Sequence, residues 1–268
     1  MVKREMCSPI YKKNNREDFT CYTPTHLVTL KNKFNAKNRN TRKKIKGKTT
    51  KQIWKELDKN IKTCKTESCW GKELDVPVKD VFAPKSPESW KKNKNEWLSS
   101  TDITSVLKQY EQAYPDFKYI GPSPSDYDFK ENGKCVWQEL CEFNVNTTKY
   151  KYIGVVFNLD EHNGGGTHWV SIFVHMPRKK IYYFDSTGDE ILDNISHFVV
   201  QIQNQDPSFK LETNFEVEHQ FGNTECGMYT LFFIITMLQT GNFSLFNGKK
   251  THFPDKKMEK LRKKYFNS

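Results

Sequence analysis

The chain has 268 residues, 36% of them hydrophobic, and carries 43 Lys+Arg against 32 Asp+Glu for a formal net charge of +11. That length admits one large domain or a core with a smaller companion. No apolar run approaches the roughly 20 residues of a membrane span, and the opening MVKREMCSPIYKKNNRED has no signal-peptide apolar stretch, so the reading is a soluble intracellular protein.

Seven cysteines is an odd count without the spacing of a disulfide framework, which predicts mostly free thiols in a reducing compartment. The charge is uneven: residues 1–100 hold 25 Lys+Arg against 11 Asp+Glu, and residues 101–268 hold 18 against 21. Residues 1–50 are polar and basic with few apolar anchors. Their densest stretch, Lys31–Lys51, predicts either a solvated surface segment or a contact for nucleic acid or another polyanion. It lacks aromatic interleaving, so base stacking is not indicated. Thr50–Cys64 puts Ile53, Trp54, Leu57 and Ile61 on one face of an amphipathic helix. Asp75–Glu96, with three prolines and a lysine cluster, reads as a linker. A helix follows, capped by Ser100 or Thr101, with Ile103, Val106, Leu107 and Tyr110 as its apolar stripe and Pro115 as its stop. GPSPSDYD reads as a loop.

Beyond residue 150 the texture changes to short β-branched and aromatic runs at Tyr152–Leu159, His168–Met176 and Lys180–Ser186, separated by turns and expected to be neighbouring strands. Asp189–Gln205 has helical spacing, Phe209–Gln220 strand alternation, and Cys226–Thr240 is a mostly apolar helix too short for a bilayer. A charged helix closes the chain. Strands followed by segregated helices predict an α+β domain.

Cys226 stands where polar NTE gives way to that apolar helix. Unpaired N–H groups and the positive dipole end favour an anion there, and a thiolate is such an anion; a buried core thiol is the plainer alternative. A cysteine nucleophile needs an imidazole, and the imidazole an orienting acceptor. His168 begins a strand directly after NGGGT. If PRK closes an antiparallel hairpin, Asp185 at the end of the next strand lies beside it. Gln220, six residues before Cys226, is placed to donate to an oxyanion. Singly, each is also read as a surface loop histidine, a turn aspartate and an exposed glutamine. Cys64, Cys69, Cys135 and Cys141 lack common zinc spacings, so no metal site is expected.

THWVSIFV, YYFDS and QFGNTECGMYTL together resemble the papain-like ubiquitin-like-protein proteases, which include the SUMO and adenovirus proteases. His168-Trp169, Asp185-Ser186, Gln220 and Cys226-Gly227 match that family's pattern in order and spacing. EWLSSTDI resembles the Trp-Leu-Asn-Asp motif that opens the family's core, matching at Trp97 and departing at Ser99 and Ser100; Glu225 stands where an aspartate is common, a difference expected to matter little. Within the family the likeness is to the virion-maturation polyprotein proteases of large cytoplasmic DNA viruses.

The resemblance implies a papain-like α+β core over residues 91–268, with a mixed sheet and flanking helices, preceded by a basic, mainly helical arm region over residues 1–90. It implies a His168–Asp185–Cys226 triad with Gln220 in the oxyanion hole. It further implies a slot walled by Trp97 and Trp169 that admits Gly-Gly or Ala-Gly, no cofactor, viral polyprotein substrates, and a place in the host cytoplasm at the assembly site and in the virion. Two other functions fit the sequence: removal of ubiquitin or a ubiquitin-like modifier from host conjugates, and a nucleic-acid-binding structural virion protein using residues 31–51.

Overall fold

In the computed structural model the described residues are 2–14, 19–38, 43–78, 80–248 and 251–267. The chain divides into two compact units, Met1–Lys85 with Lys264–Ser268, and Ser86–Lys263. The division falls five residues before the boundary expected at 90, and the last five residues leave the second unit.

The first unit is helical: α1 (Pro9–Asn14), α2 (Pro24–Lys37), α3 (Thr50–Asn60) and α4 (Ser68–Glu73). The start of α2 is set by Thr23 and His26, whose side chains reciprocally take each other's backbone N–H, with Pro24 supplying a helical φ. Thr49 and Gln52 do the same for α3. The few apolar anchors of residues 1–50 suffice for a core: Tyr22, Leu27, Leu30 and Phe34 are buried against Ile53, Leu57 and Trp70. Two lysines of the basic stretch are engaged internally, Lys31 Nζ donating to Gly47 O at 2.7 Å and Lys37 Nζ to Asp75 at 2.8 Å; residues 39–42 of that stretch lie outside the described residues. The returning C-terminus is stitched in by Asn267, which exchanges hydrogen bonds with Met6 and donates to Ala83 O.

The cysteine expectation is corrected. Cys7–Cys21, Cys64–Cys69 and Cys135–Cys141 are disulfide-bonded, and Cys226 alone remains free. Folding brings Cys7 to Cys21, and local turns bring the other two pairs together, at sequence separations of 5 and 6 that fit no familiar framework.

The second unit carries the predicted mixed sheet. Its strands are β1 (Phe117–Ser123), β4 (Tyr152–Asn158), β5 (Trp169–His175), β6 (Lys180–Phe184) and β7 (Lys210–Thr213), in that spatial order; β2 (Lys130–Glu131) and β3 (Lys134–Cys135) form a small separate hairpin. β1 is parallel to β4 and β6 to β7, while β5 is antiparallel to both β4 and β6. Helices α5 (Ser100–Ala113), α6 (Gln138–Cys141), α7 (Asp193–Gln205), α8 (Cys226–Thr240), α9 (Ser244–Asn247) and α10 (Asp255–Tyr265) complete it.

One face of the sheet, including Ile153, Val155, Val170, Ile172, Ile181 and Tyr183, packs on Ile195, Phe198 and Ile202 of α7. Side chains alternate along a strand, so Gly154 points to the other face, where a Cβ would lie 3.0 Å from Ile234 of α8. The missing side chain lets α8 lie close on the sheet. Nearly every residue of α8 from Cys226 to Leu238 is buried, which is why it is apolar all round. Among the described residues no helix is long and apolar enough to cross a membrane.

Two local expectations are amended. GPS of GPSPSDYD is the end of β1, paired along an irregular register with β4. Phe209–Gln220 yields only the four residues of β7, because the Asn214 side chain takes over the backbone groups a longer strand would pair: it accepts from Asp185 N at 2.9 Å and donates to Asp185 O and Val217 O.

Candidate active site

Cys226 is the first residue of α8, following Glu225, whose φ of −103° and ψ of 1° turn the chain into the helix. The first-turn N–H groups lack partners inside the helix and the dipole's positive end lies there, a setting that favours an anion. The helix is fixed to the sheet at this end: Thr230 Oγ1 donates to Trp169 O at 3.3 Å.

His168 stands immediately before β5, and its carbonyl accepts from Leu159 N at 2.9 Å. The hairpin of β5 and β6 is antiparallel, with Ser171 opposite Phe184, so Asp185 emerges beside His168. Their side chains meet: His168 Nε2 lies 2.7 Å from Asp185 Oδ1. Cys226 is the other side chain that acts on the imidazole. With Nε2 committed to Asp185, Nδ1 is the ring nitrogen left to serve the thiol. Burial opposes a charge on the ring, but the hydrogen bonds to Asp185 and Cys226, together with the charges of both, outweigh it and push the His168 pKa up to about 10. Three of the four residues singled out from the sequence thus meet in one cluster.

Asp185 is fully enclosed, and its Oδ1 also accepts from Thr187 N at 2.9 Å and Thr187 Oγ1 at 2.8 Å. Asn214 grips its backbone. The fourth residue, Gln220, is also buried, and its amide is oriented by neighbours: Ser186 Oγ donates to Oε1 at 2.9 Å, and Nε2 donates to Gly222 O at 2.6 Å. The Ser186 carbonyl accepts from both His219 N and Gln220 N at 2.8 Å. One Asp-Ser dipeptide therefore aligns the histidine with its first side chain and the glutamine with its second. Asn214 and Thr187 were not foreseen; Asn214 is brought to Asp185 by the fold from 29 positions away, whereas Thr187 bonds it locally across two residues, an Asx-type turn that the sequence Asp-Ser-Thr carries.

The two tryptophans belong to the same neighbourhood. Trp169 is nearly buried, its indole Nε1 donating to Leu98 O at 2.9 Å. Leu98 also packs on the residue after the thiol, where a Cβ at Gly227 would lie 2.9 Å from Leu98 Cβ. Glycine is needed there for the segment to approach. Trp97, next to Leu98 in the chain, is 42% exposed. The segment departs from the family's Asn-Asp at Ser99 and Ser100 but still opens a helix, because Ser99 caps α5 through a capping box with Asp102. Glu225, where the family commonly has an aspartate, is buried and ion-paired with Arg262 of α10 at 3.0 Å. Among the described residues no group of three or more His, Cys, Asp or Glu side chains could hold a metal ion.

Known proteins resemble this chain in sequence and in fold. Residues 85–268 match the profile of the Ulp1 protease family, C-terminal catalytic domain. A protein of Acanthamoeba polyphaga mimivirus named as a thiol protease is 28% identical, the match covering 87% of this chain and 84% of that protein. A SUMO-1 cysteine protease of African swine fever virus is 32% identical over 81% of this chain and 90% of its own length. The crystal structure of an African swine fever virus protease superposes with a TM-score of 0.67 over 99% of this chain and 97% of that one, at 18% identity, a likeness of fold.

Proposed function

Since the chain belongs to the Ulp1 protease family and is a cysteine protease, we propose that it is an endopeptidase that cleaves viral structural polyproteins after Gly-Gly or Ala-Gly. It would act during virion maturation, at the assembly site in the host cytoplasm and in the virion. The observation that carries the catalytic reading is the His168–Asp185 pair facing Cys226 at the start of α8. Viral relatives matched along most of the chain support the setting.

The chemistry is acyl transfer. The Cys226 thiolate attacks the scissile carbonyl carbon, and the carbonyl π electrons move onto oxygen. The Cys226 N–H and the Gln220 Nε2 hydrogen not used by Gly222 receive that oxyanion. Collapse breaks the C–N bond, and the His168 imidazolium gives its proton to the leaving amine. Water then attacks the thioester, its proton returns to His168, and collapse releases the carboxylate and the thiolate. Asp185 holds the ring in register throughout.

Specificity follows from Trp97 and Trp169 as walls over the residues before the bond. Flat indoles admit backbone but little side chain, which suits glycine. A peptide library is expected to show glycine nearly obligatory immediately before the scissile bond, with a bulkier residue costing about 10²-fold or more in kcat/KM. Trp97→Ala should lower turnover and relax the requirement; equal cleavage after Gly, Leu and Arg would refute the slot. Incubating the wild type and Cys226→Ala with candidate virion polyproteins, then sequencing new N-termini, tests the substrate class. A second reading, removal of a ubiquitin-like modifier, is favoured by the name of the African swine fever virus relative. Faster turnover of a modifier conjugate than of any polyprotein would select it.

A further inference from the structure

Five residues, Phe221 to Glu225, join Gln220 to Cys226, and α10 grips both ends of that loop. Asp255, the first residue of α10, accepts from Gly222 N at 2.8 Å and Phe221 N at 3.3 Å through Oδ2, while Oδ1 lies 2.9 Å from the Tyr229 hydroxyl of α8. Two turns on, Arg262 donates from Nε to Glu225 Oε2 at 3.0 Å and from Nη2 to Thr224 O at 3.4 Å. Positions seven apart lie on one helical face. Arg262 and Glu225 are both almost wholly buried, and the guanidinium lies 4.7 Å from the centre of the Trp90 ring.

Such a pair is costly to bury and leaves a charge stranded if either member is removed, so it fixes geometry more than it adds stability. The loop it holds has little packing of its own: Phe221 is 68% exposed, its ring edge-on to His252, and Gly222 has no side chain. Gly222 is also the residue whose carbonyl takes Gln220 Nε2. A continuous path therefore runs from Asp255 through Gly222 to the proposed oxyanion donor, and another from Arg262 through Glu225 to the N–H of the nucleophile's own residue.

We propose that α10 is a positioning element for the oxyanion site, with Asp255 and Arg262 as positioning residues that set the Gln220 amide and the Cys226 N–H. The proposal rests on the acyl-transfer reading above. Neither residue touches substrate, so their loss should appear in turnover and not in binding. Asp255→Ala and Arg262→Met are each expected to lower kcat on a short glycine peptide by about 10²-fold, the usual cost of a misplaced group, with KM changed less than about twofold. Alkylation of Cys226 by iodoacetamide, which needs the His168–Cys226 pair but no oxyanion site, should keep its wild-type rate.

A cycle isolates the path. In a Gln220→Ala background, Asp255→Ala should cost little further, because it acts through the group already removed. Full additivity, or a wild-type kcat in both positioning variants, would overturn the proposal. So would a parallel fall in kcat and alkylation rate, which marks general loosening. If Arg262→Met does not fold, the E225Q/R262M pair removes both charges and carries the same expectation. A wild-type enzyme inactive on glycine peptides, or a fully active Gln220→Ala, would instead sink the underlying reading.

Discussion

Replacing Cys226 by alanine is expected to abolish peptide hydrolysis while leaving the fold intact. The side chain is small and its removal opens little space, and the helix it begins is held by the remaining buried residues of α8 and by Thr230 on the Trp169 carbonyl. What disappears is the nucleophile, and in enzymes where nucleophile and base act as a unit that loss is on the order of 10⁶ in kcat. Residual catalysis from binding and the oxyanion donors would survive at about 10³–10⁴ over water. The check is turnover of a glycine peptide alongside circular dichroism. Iodoacetamide should label one site in the native wild type and none in the variant, since the other six cysteines are disulfide-bonded. Activity retained in the alanine variant would remove Cys226 from the mechanism.

His168→Ala is expected to cost nearly as much, and it carries a pH signature. The folded-state pKa of His168 is raised to about 10 from an ordinary 6.5. A group whose pKa is raised on folding contributes stability fully present below its unfolded value, and that contribution is lost as pH rises through the folded one. The wild type should therefore lose thermal stability between about pH 6.5 and 10 relative to His168→Ala, with the two melting curves converging at the alkaline end. Turnover should hold on the alkaline side until the imidazolium is lost near the same upper value, as a property of the His168–Cys226 pair and not of one residue. Parallel melting profiles across that range would show that the ring is not held as the cation. Asp185→Asn is gentler: an amide oxygen can still accept from His168 and Thr187, although its NH2 at the buried Oδ2 position would find no acceptor and cost some stability.

The core of the site could be read from the sequence because it is built from short-range geometry. One hairpin places His168 against Asp185, and one change of texture marks the start of α8 at Cys226. Several other features depend on partners tens of residues away, where no local pattern points. Asn214 on Asp185, Ser186 on Gln220 and Arg262 on Glu225 are separated by 29, 34 and 37 positions. The charged C-terminal helix read correctly as a helix, but a lysine-rich pattern does not reveal that one of its arginines is buried. The N-terminal region misled through its charge: Leu27, Leu30 and Phe34 lie on one face of α2 among lysines that dominate the composition. Cysteine pairing failed for a different reason, since parity and spacing describe frameworks in which every cysteine pairs, and here one is left over.

That leftover sulfur has a consequence for how the enzyme responds to oxidation. A thiolate that attacks peroxide breaks its O–O bond and gives sulfenic acid and hydroxide, and many redox-sensing cysteines are rescued by a neighbouring thiol that condenses with the sulfenic acid, releasing water, to form a disulfide. Cys226 has no such neighbour in its own chain, because the other six sulfurs are already bonded to one another. Its sulfenic acid can be recovered only by a thiol from outside. Without one, a second equivalent of peroxide carries it to the sulfinic acid, which simple thiols do not reduce. Inactivation by peroxide should thus be protected by added small thiol and become permanent in its absence, with no intramolecular disulfide appearing at any stage.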